Sequence, residues 1–158
     1  MLRLAIGLAA ALSGLAACGS SSATRGESVS SPGVAPPPPE VPDGADVARI
    51  SERGEDVPSL EAHVVRGKVT VFDFYADWCA PCRKIDAHVF ALLGKRDDLA
   101  LRKLNVVSWE APIAARHLKN VEELPYLIVY GKDGALVGRI VGFDLAALDR
   151  AIAEGGAR

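Results

Sequence analysis

The sequence is short of cysteine, with three in 158 residues: Cys18, Cys79 and Cys82. A framework of structural disulfides needs more pairs spread along the chain, so a cysteine-stapled scaffold is excluded. Strong charge of either sign is also lacking. The formal net charge is −2, which gives no basic surface for nucleic acid or an anionic bilayer. The apolar stretch Leu4 to Leu15 has only twelve residues, whereas a helix crossing a hydrocarbon core needs about 20. Phosphate-binding glycine loops, GxSxG elbows and HExxH helices are absent. His63, His88 and His117 show no ligand spacing and no second CxxC exists, so the sequence offers no metal site. What is present is a globular composition, 49% hydrophobic and 24% charged, in a length that suits one domain and a tail.

The tail comes first. Arg3 followed by the apolar run to Leu15 reads as a signal peptide. Leu15-Ala16-Ala17-Cys18 resembles the bacterial lipobox, which implies cleavage before Cys18 and lipidation of its sulfur. An ordinary cleaved signal with a spare cysteine is the competing reading. Acyl chains at one cysteine contribute about 0.8 kcal/mol per buried CH₂, enough for two or three chains to hold a membrane. Gly19 to Ala45, with Pro36 to Pro39, keeps no helical or strand period and reads as a disordered tether. The expected division is a signal peptide at 1–17, a lipidated Cys18 with a Ser/Pro-rich tether at 18–45, and a folded domain at 46–158. The protein is then exported and anchored on the periplasmic side of a bacterial membrane, inner or outer, where disulfides can form.

Strand and helix patterns alternate through the domain. Val69 to Tyr75 is rich in β-branched and aromatic residues and reads as a buried strand, interrupted by Asp73. Ala80 to Leu93 repeats apolar residues at helical spacing and meets Gly94 as a stop. Leu99 to Val106 is a strand, Ala111 to Leu118 a short helix, and Tyr126 to Tyr130 a strand. Gly131-Lys132-Asp133-Gly134 turns the chain into a paired strand, Leu136 to Val141, before a closing helix, Leu145 to Ile152. Residues 47–65 add an edge strand and a short helix from Ser59 to Val65. The order β-α-β-α-β-α-β-β-α predicts an α/β fold, a mixed central sheet of 4–5 strands flanked by helices.

Trp78-Cys79-Ala80-Pro81-Cys82 falls where a strand passes into a helix. Residues i and i+3 on a first helical turn lie about 5–6 Å apart at Cα, inside the window for a disulfide. Pro81 suits that turn, and the free N–H groups of the helix end stabilise a thiolate. Cys79 is expected at the exposed lip as the nucleophile, with Cys82 one turn inward as the resolving thiol. Asp73, flanked by large apolar residues, is expected to be buried with a raised pKa and to exchange a proton with Cys82. Asp86, one turn after Cys82, either points back toward the pair or is a solvated helix residue. Trp109 belongs to no motif and fits core or surface.

The run Val71 to Cys82 is similar to the active-site segment of the thioredoxin-like family. Leu124-Pro125 resembles its cis-proline site, and Val141-Gly142-Phe143 its late glycine turn. Within the superfamily, Tyr75-Ala76-Asp77-Trp78-Cys79, Asp86, Leu124-Pro125 and Gly142-Phe143 most resemble the C-terminal periplasmic domain of the reductase DsbD. The resemblance implies catalytic Cys79, Cys82 and Asp73, with Trp78 beside the disulfide. Asp86 would oppose ionisation of the attacking cysteine, and Lys103 would sit near the buried Asp unless it is a solvated strand residue. Leu124, Pro125 and Tyr126 would meet substrate, although Tyr126 replaces the Thr often found there. No cofactor is implied beyond a redox-active Cys79–Cys82 disulfide.

The resulting expectation is a membrane-anchored thiol–disulfide oxidoreductase, a monomer working mainly as a reductant. Ala80-Pro81 lacks the histidine of strongly oxidising relatives, which favours that direction. Its partners would be protein dithiol or disulfide clients and a membrane electron donor of DsbD type, with no nucleic acid. The alternatives are a cytochrome c maturation reductase of TlpA or ResA type, and a non-enzymatic copper-binding or chaperone module.

Overall fold

The computed structural model describes residues 37–158, so the signal peptide, Cys18 and most of the tether lie outside the described residues. The strands are β1 (Asp46–Ser51), β2 (Val69–Tyr75), β3 (Leu99–Asn105), β4 (Tyr126–Tyr130) and β5 (Leu136–Val141). The helices are α1 (Ala80–Leu93), α2 (Pro112–His117) and α3 (Leu145–Gly156), with one 3-10 turn at Glu61–His63. The sheet runs β1-β3-β2-β4-β5. β1 and β2 pair with β3 in parallel, and β4 joins β2 and β5 antiparallel. This is the mixed five-stranded sheet the element order predicts. The 3-10 turn replaces most of the helix expected from Ser59, and α3 continues four residues beyond Ile152.

All seven residues of β2 are buried, as befits a strand covered on both faces. Period-two alternation sorts its side chains into two cores. Val69 and Val71 pack with Leu99, Leu101, Leu127 and Val129 under Ile85 and Val89 of α1 and Leu148 and Ile152 of α3. Phe72 and Phe74 face the other way, toward Leu60, Ile113 and Leu118. Asp73 and Lys103 are register partners across β2 and β3. By the same alternation they fall on the α1 side, at the end of that apolar face nearest the β2–α1 turn.

Residues 37–45, expected in the tether, belong to the same compact unit as the strands and helices. Ala45 donates its N–H to the carbonyl of Pro42. Pro38 and Pro39 line a cavity with residues of β1, β2 and α1.

The loop after β1 packs against the loop after β3 through Gly54. Gly54 has φ +80°, and a Cβ there would stand 2.8 Å from Ala111 Cβ and 3.2 Å from the Val106 carbonyl. Gly54 also accepts the N–H of Ile113. Gly54→Ala is expected to lower stability by about 2 kcal/mol, read as a shift in the urea midpoint at unchanged slope.

Candidate active site

The turn from β2 to α1 is closed by the Cys79 N–H on the Ala76 carbonyl, 2.9 Å. Cys79 is the N-cap of α1, with Pro81 in the first turn, and its sulfur accepts the N–H of Cys82 at 3.2 Å. The two sulfurs are bonded, with Cα atoms 5.3 Å apart. The first turn of a 14-residue helix thus points its free N–H groups and partial positive charge at Cys79. A thiolate formed there on reduction is stabilised by both.

Cys79 is less accessible than the sequence predicts. It is 4% exposed, against 1% for Cys82, and shares a buried cluster with Ala76, Leu124 and Tyr126. Both residues sit in the wall of the domain rather than on a lip. Trp78 is the exposed neighbour, at 58%. It stands at the surface with its indole N–H on the carbonyl of Val107, 2.8 Å away. Trp109 is also exposed.

Val107 has φ 62°, a conformation unfavourable for a β-branched residue. Asn105 holds it there, accepting the Val107 N–H at 3.0 Å and donating its side-chain amide to Asp77 at 3.3 Å. The strained carbonyl therefore anchors the indole of the residue that precedes Cys79. Val107→Gly is expected to gain about 1 kcal/mol of stability, measured by thermal unfolding, because glycine adopts that φ freely. No residue pattern in the sequence marks Val107.

Behind the pair lies a buried ionic cluster. Asp73 is completely buried and lies 3.1 Å from Lys103 Nζ through Oδ2. Lys103 also pairs with Asp86 of α1, and its ammonium sits 4.1 Å from the centre of the Tyr75 ring. Both open readings resolve the same way: Asp86 points inward, and Lys103 is not solvated. Burial pushes the Asp73 carboxyl up to about 6, the nearby Lys103 charge opposing the shift and Asp86 adding to it. The two carboxylates hold the Lys103 pKa above its ordinary value against its own burial. Asp73 Oδ1 is buried and accepts no hydrogen bond among the described residues. Tyr75 accepts from Arg49 of β1 at 3.0 Å, a contact that no sequence signal predicts.

The third side of the site comes from β4, because Phe74 of β2 pairs with Tyr126. That register brings the start of β4 beside the end of β2. The Leu124–Pro125 bond is cis, and the Pro125 carbonyl accepts the N–H of Gly142 at 2.9 Å. Leu124 and Tyr126, expected to meet substrate, have buried side chains, and Tyr126 packs against the ring of Phe74. Alternation along β4 turns Tyr126 into the core. Phe143, after Gly142, is exposed, with Lys84 of α1 over its ring.

The family model described as Thioredoxin matches residues 57–154. The mitochondrial thioredoxin-3 of Saccharomyces cerevisiae is 36% identical over 84 residues, covering 53% of this chain. The match spans 63% of that relative's own length, less than two thirds. Thioredoxin-2 of the same yeast is 38% identical over 87 residues, which is 55% of this chain and 80% of that protein. The short form of thioredoxin f from spinach chloroplast has the same fold. Its TM-score is 0.53 at 22% identity, over 70% of this chain and 94% of that one.

Proposed function

The chain belongs to the thioredoxin family of thiol–disulfide oxidoreductases, and from that premise we propose that it is a lipid-anchored, extracytoplasmic member that reduces protein disulfides. The observation that carries the chemistry is the Cys79–Cys82 disulfide at the positive tip of α1. In the reduced protein the Cys79 thiolate attacks a client disulfide, releasing one client sulfur as a thiolate and leaving a mixed disulfide. Cys82 gives its proton to the carboxylate cluster of Asp73 and Asp86. Its thiolate then attacks the Cys79 sulfur, and the second client sulfur leaves. The client has gained two electrons. Its two sulfurs take the Cys82 proton back from the carboxylate cluster and a second proton from solvent, to which Cys79 lost its own on ionising. The Cys79–Cys82 disulfide has re-formed. A membrane dithiol donor of DsbD type then restores the pair.

The anchoring part of this reading is supported by the lipobox-like Leu15-Ala16-Ala17-Cys18 and the apolar run before it. The reducing direction is supported by Ala80-Pro81 between the cysteines. Between Gly94 and Pro125 the chain forms β3 and α2 alone, whereas reductases of TlpA or ResA type usually carry an insertion in this region. Equilibration with glutathione buffers tests the direction. A potential near that of cytosolic thioredoxin, about −270 mV, is expected. A value near −120 mV, that of strong periplasmic oxidants, would make the protein an oxidant instead. Labelling of cells with a radioactive fatty acid tests the anchor. Label on the wild type and none on Cys18→Ala is the expected result, and label on neither removes the anchor.

A further inference from the structure

Cys82, Asp86 and Lys103 share a cavity of about 170 Å³ with Arg49, Tyr75, Ala76, Asp77, Arg83 and Phe90. A water molecule takes up about 30 Å³ in the liquid, so the space has room for several. Its lining includes Pro38 and Pro39, contributed by the segment that precedes β1. Pro37 and Pro39 also lie against the outward face of α1, alongside Ala80, Arg83, Lys84 and Ala87, in an adjoining cleft of about 390 Å³. The prolines thus border both the cleft along the first turns of α1 and the cavity behind Cys82.

We propose that Pro38 and Pro39 form a strap over this cavity that keeps bulk water from the Cys82–Asp86–Lys103 groups and so sets the pH at which Cys82 can hand on its proton. This role rests on Cys82 being the resolving thiol of an oxidoreductase. Three features support it. A proline run has its φ fixed and stays extended at small entropic cost, so it can stand as a wall without a strand or helix to hold it. It offers an apolar surface and no N–H, so it adds no donor to the carboxylates behind it. And the fully buried Asp73, joined to the cavity through Lys103, owes its high pKa first to desolvation, which any path for water would relieve. The charged and titratable groups facing this cluster are Lys103 from β3, Asp86 and Arg83 from α1, Tyr75 from β2, Asp77 from the turn after it, and Arg49 from β1. The strap bears no charge, so it acts on them through water alone.

Pro38 and Pro39 are positioning residues, and the readout must be one that a loss of stability does not move. In the full chain, Pro38→Gly with Pro39→Gly is expected to lower the Asp73 titration midpoint by about one pH unit, read from its carboxyl ¹³C shift. The acidic limb of the pH profile for peptide-disulfide reduction moves with it. A second measurement uses Cys79→Ala, in which Cys82 is the only cysteine of the pair. Adding the two glycines is expected to speed alkylation of Cys82 by iodoacetamide about tenfold. Pro38→Leu with Pro39→Leu, which keeps an apolar cover, stays close to the wild type in both. Unchanged titration and alkylation in the glycine variant would overturn the strap. If the wild type reduces no peptide disulfide at any pH, the oxidoreductase reading falls, while carboxyl titration and alkylation still decide whether the prolines wall off the cavity.

Discussion

Cys79→Ser is expected to abolish reduction of a peptide disulfide, lowering kcat/KM by at least about a thousandfold, with the fold intact. Serine keeps an acceptor at the N-cap of α1, where the Cys79 sulfur now receives the Cys82 N–H. The disulfide joins residues only three apart, so losing it removes little loop-closure entropy from the unfolded chain. Activity and stability should therefore separate. The rate is read by steady-state turnover and the stability by urea unfolding of the oxidised wild type beside the variant. Equal loss of both would mean that the pair is a structural clip.

Asp73→Asn is expected to raise stability at pH 8 by about 3 kcal/mol while slowing the resolving step. Asp73 is raised from 3.8 to about 6 in the folded protein, a difference worth about 3 kcal/mol at 1.36 kcal/mol per unit. The sign follows from proton binding. Between pH 4 and 6 the folded state holds a proton on Asp73 that the unfolded state has lost, so stability falls as pH rises through this window. Below pH 4 the acid is neutral in both states and the Asn variant gains nothing. Above about pH 6 the wild type carries the full burden of a buried charge, which Asn removes. Lys103 keeps Asp86 as its partner in the variant. One of the two carboxylates that take the Cys82 proton is gone, and the resolving step is expected to slow about a hundredfold, measured by rapid mixing of reduced protein with a peptide disulfide. The same stability gain at pH 3 as at pH 8 would contradict the account.

What the sequence made legible was whatever local pattern enforces. Six β-branched or aromatic residues among the seven from Val69 to Tyr75 mark a covered strand, so β2 is legible from local pattern. The bounds of α1 followed from Pro81 at one end and Gly94 at the other. Asp73 could be placed inside because nothing around it is polar. Lys103 opposite Asp73 was different: it was expected from resemblance, since strand register is a tertiary property that no local signal encodes. The burial of Cys79 involves Leu124 and Tyr126, which arrive from the cis-proline turn and the start of β4 about forty-five residues later. The left-handed Val107 has no local signature, because its backbone is imposed by Asn105 and the Trp78 indole rather than by its own preference. Pro37 to Pro39 read as tether because a proline run has no period. Its docking beside α1 depends on surface shape, which periodicity does not register.

The central claim is that Cys79 attacks and Cys82 resolves, and trapping tests it most directly. Cys82→Ala, incubated with a peptide disulfide and digested without reductant, is expected to yield a peptide adduct mapped by mass spectrometry to Cys79. The corresponding Cys79→Ala protein is expected to yield far less, because Cys82 lies behind it. An adduct that forms preferentially on Cys82, or on neither cysteine, would contradict the account.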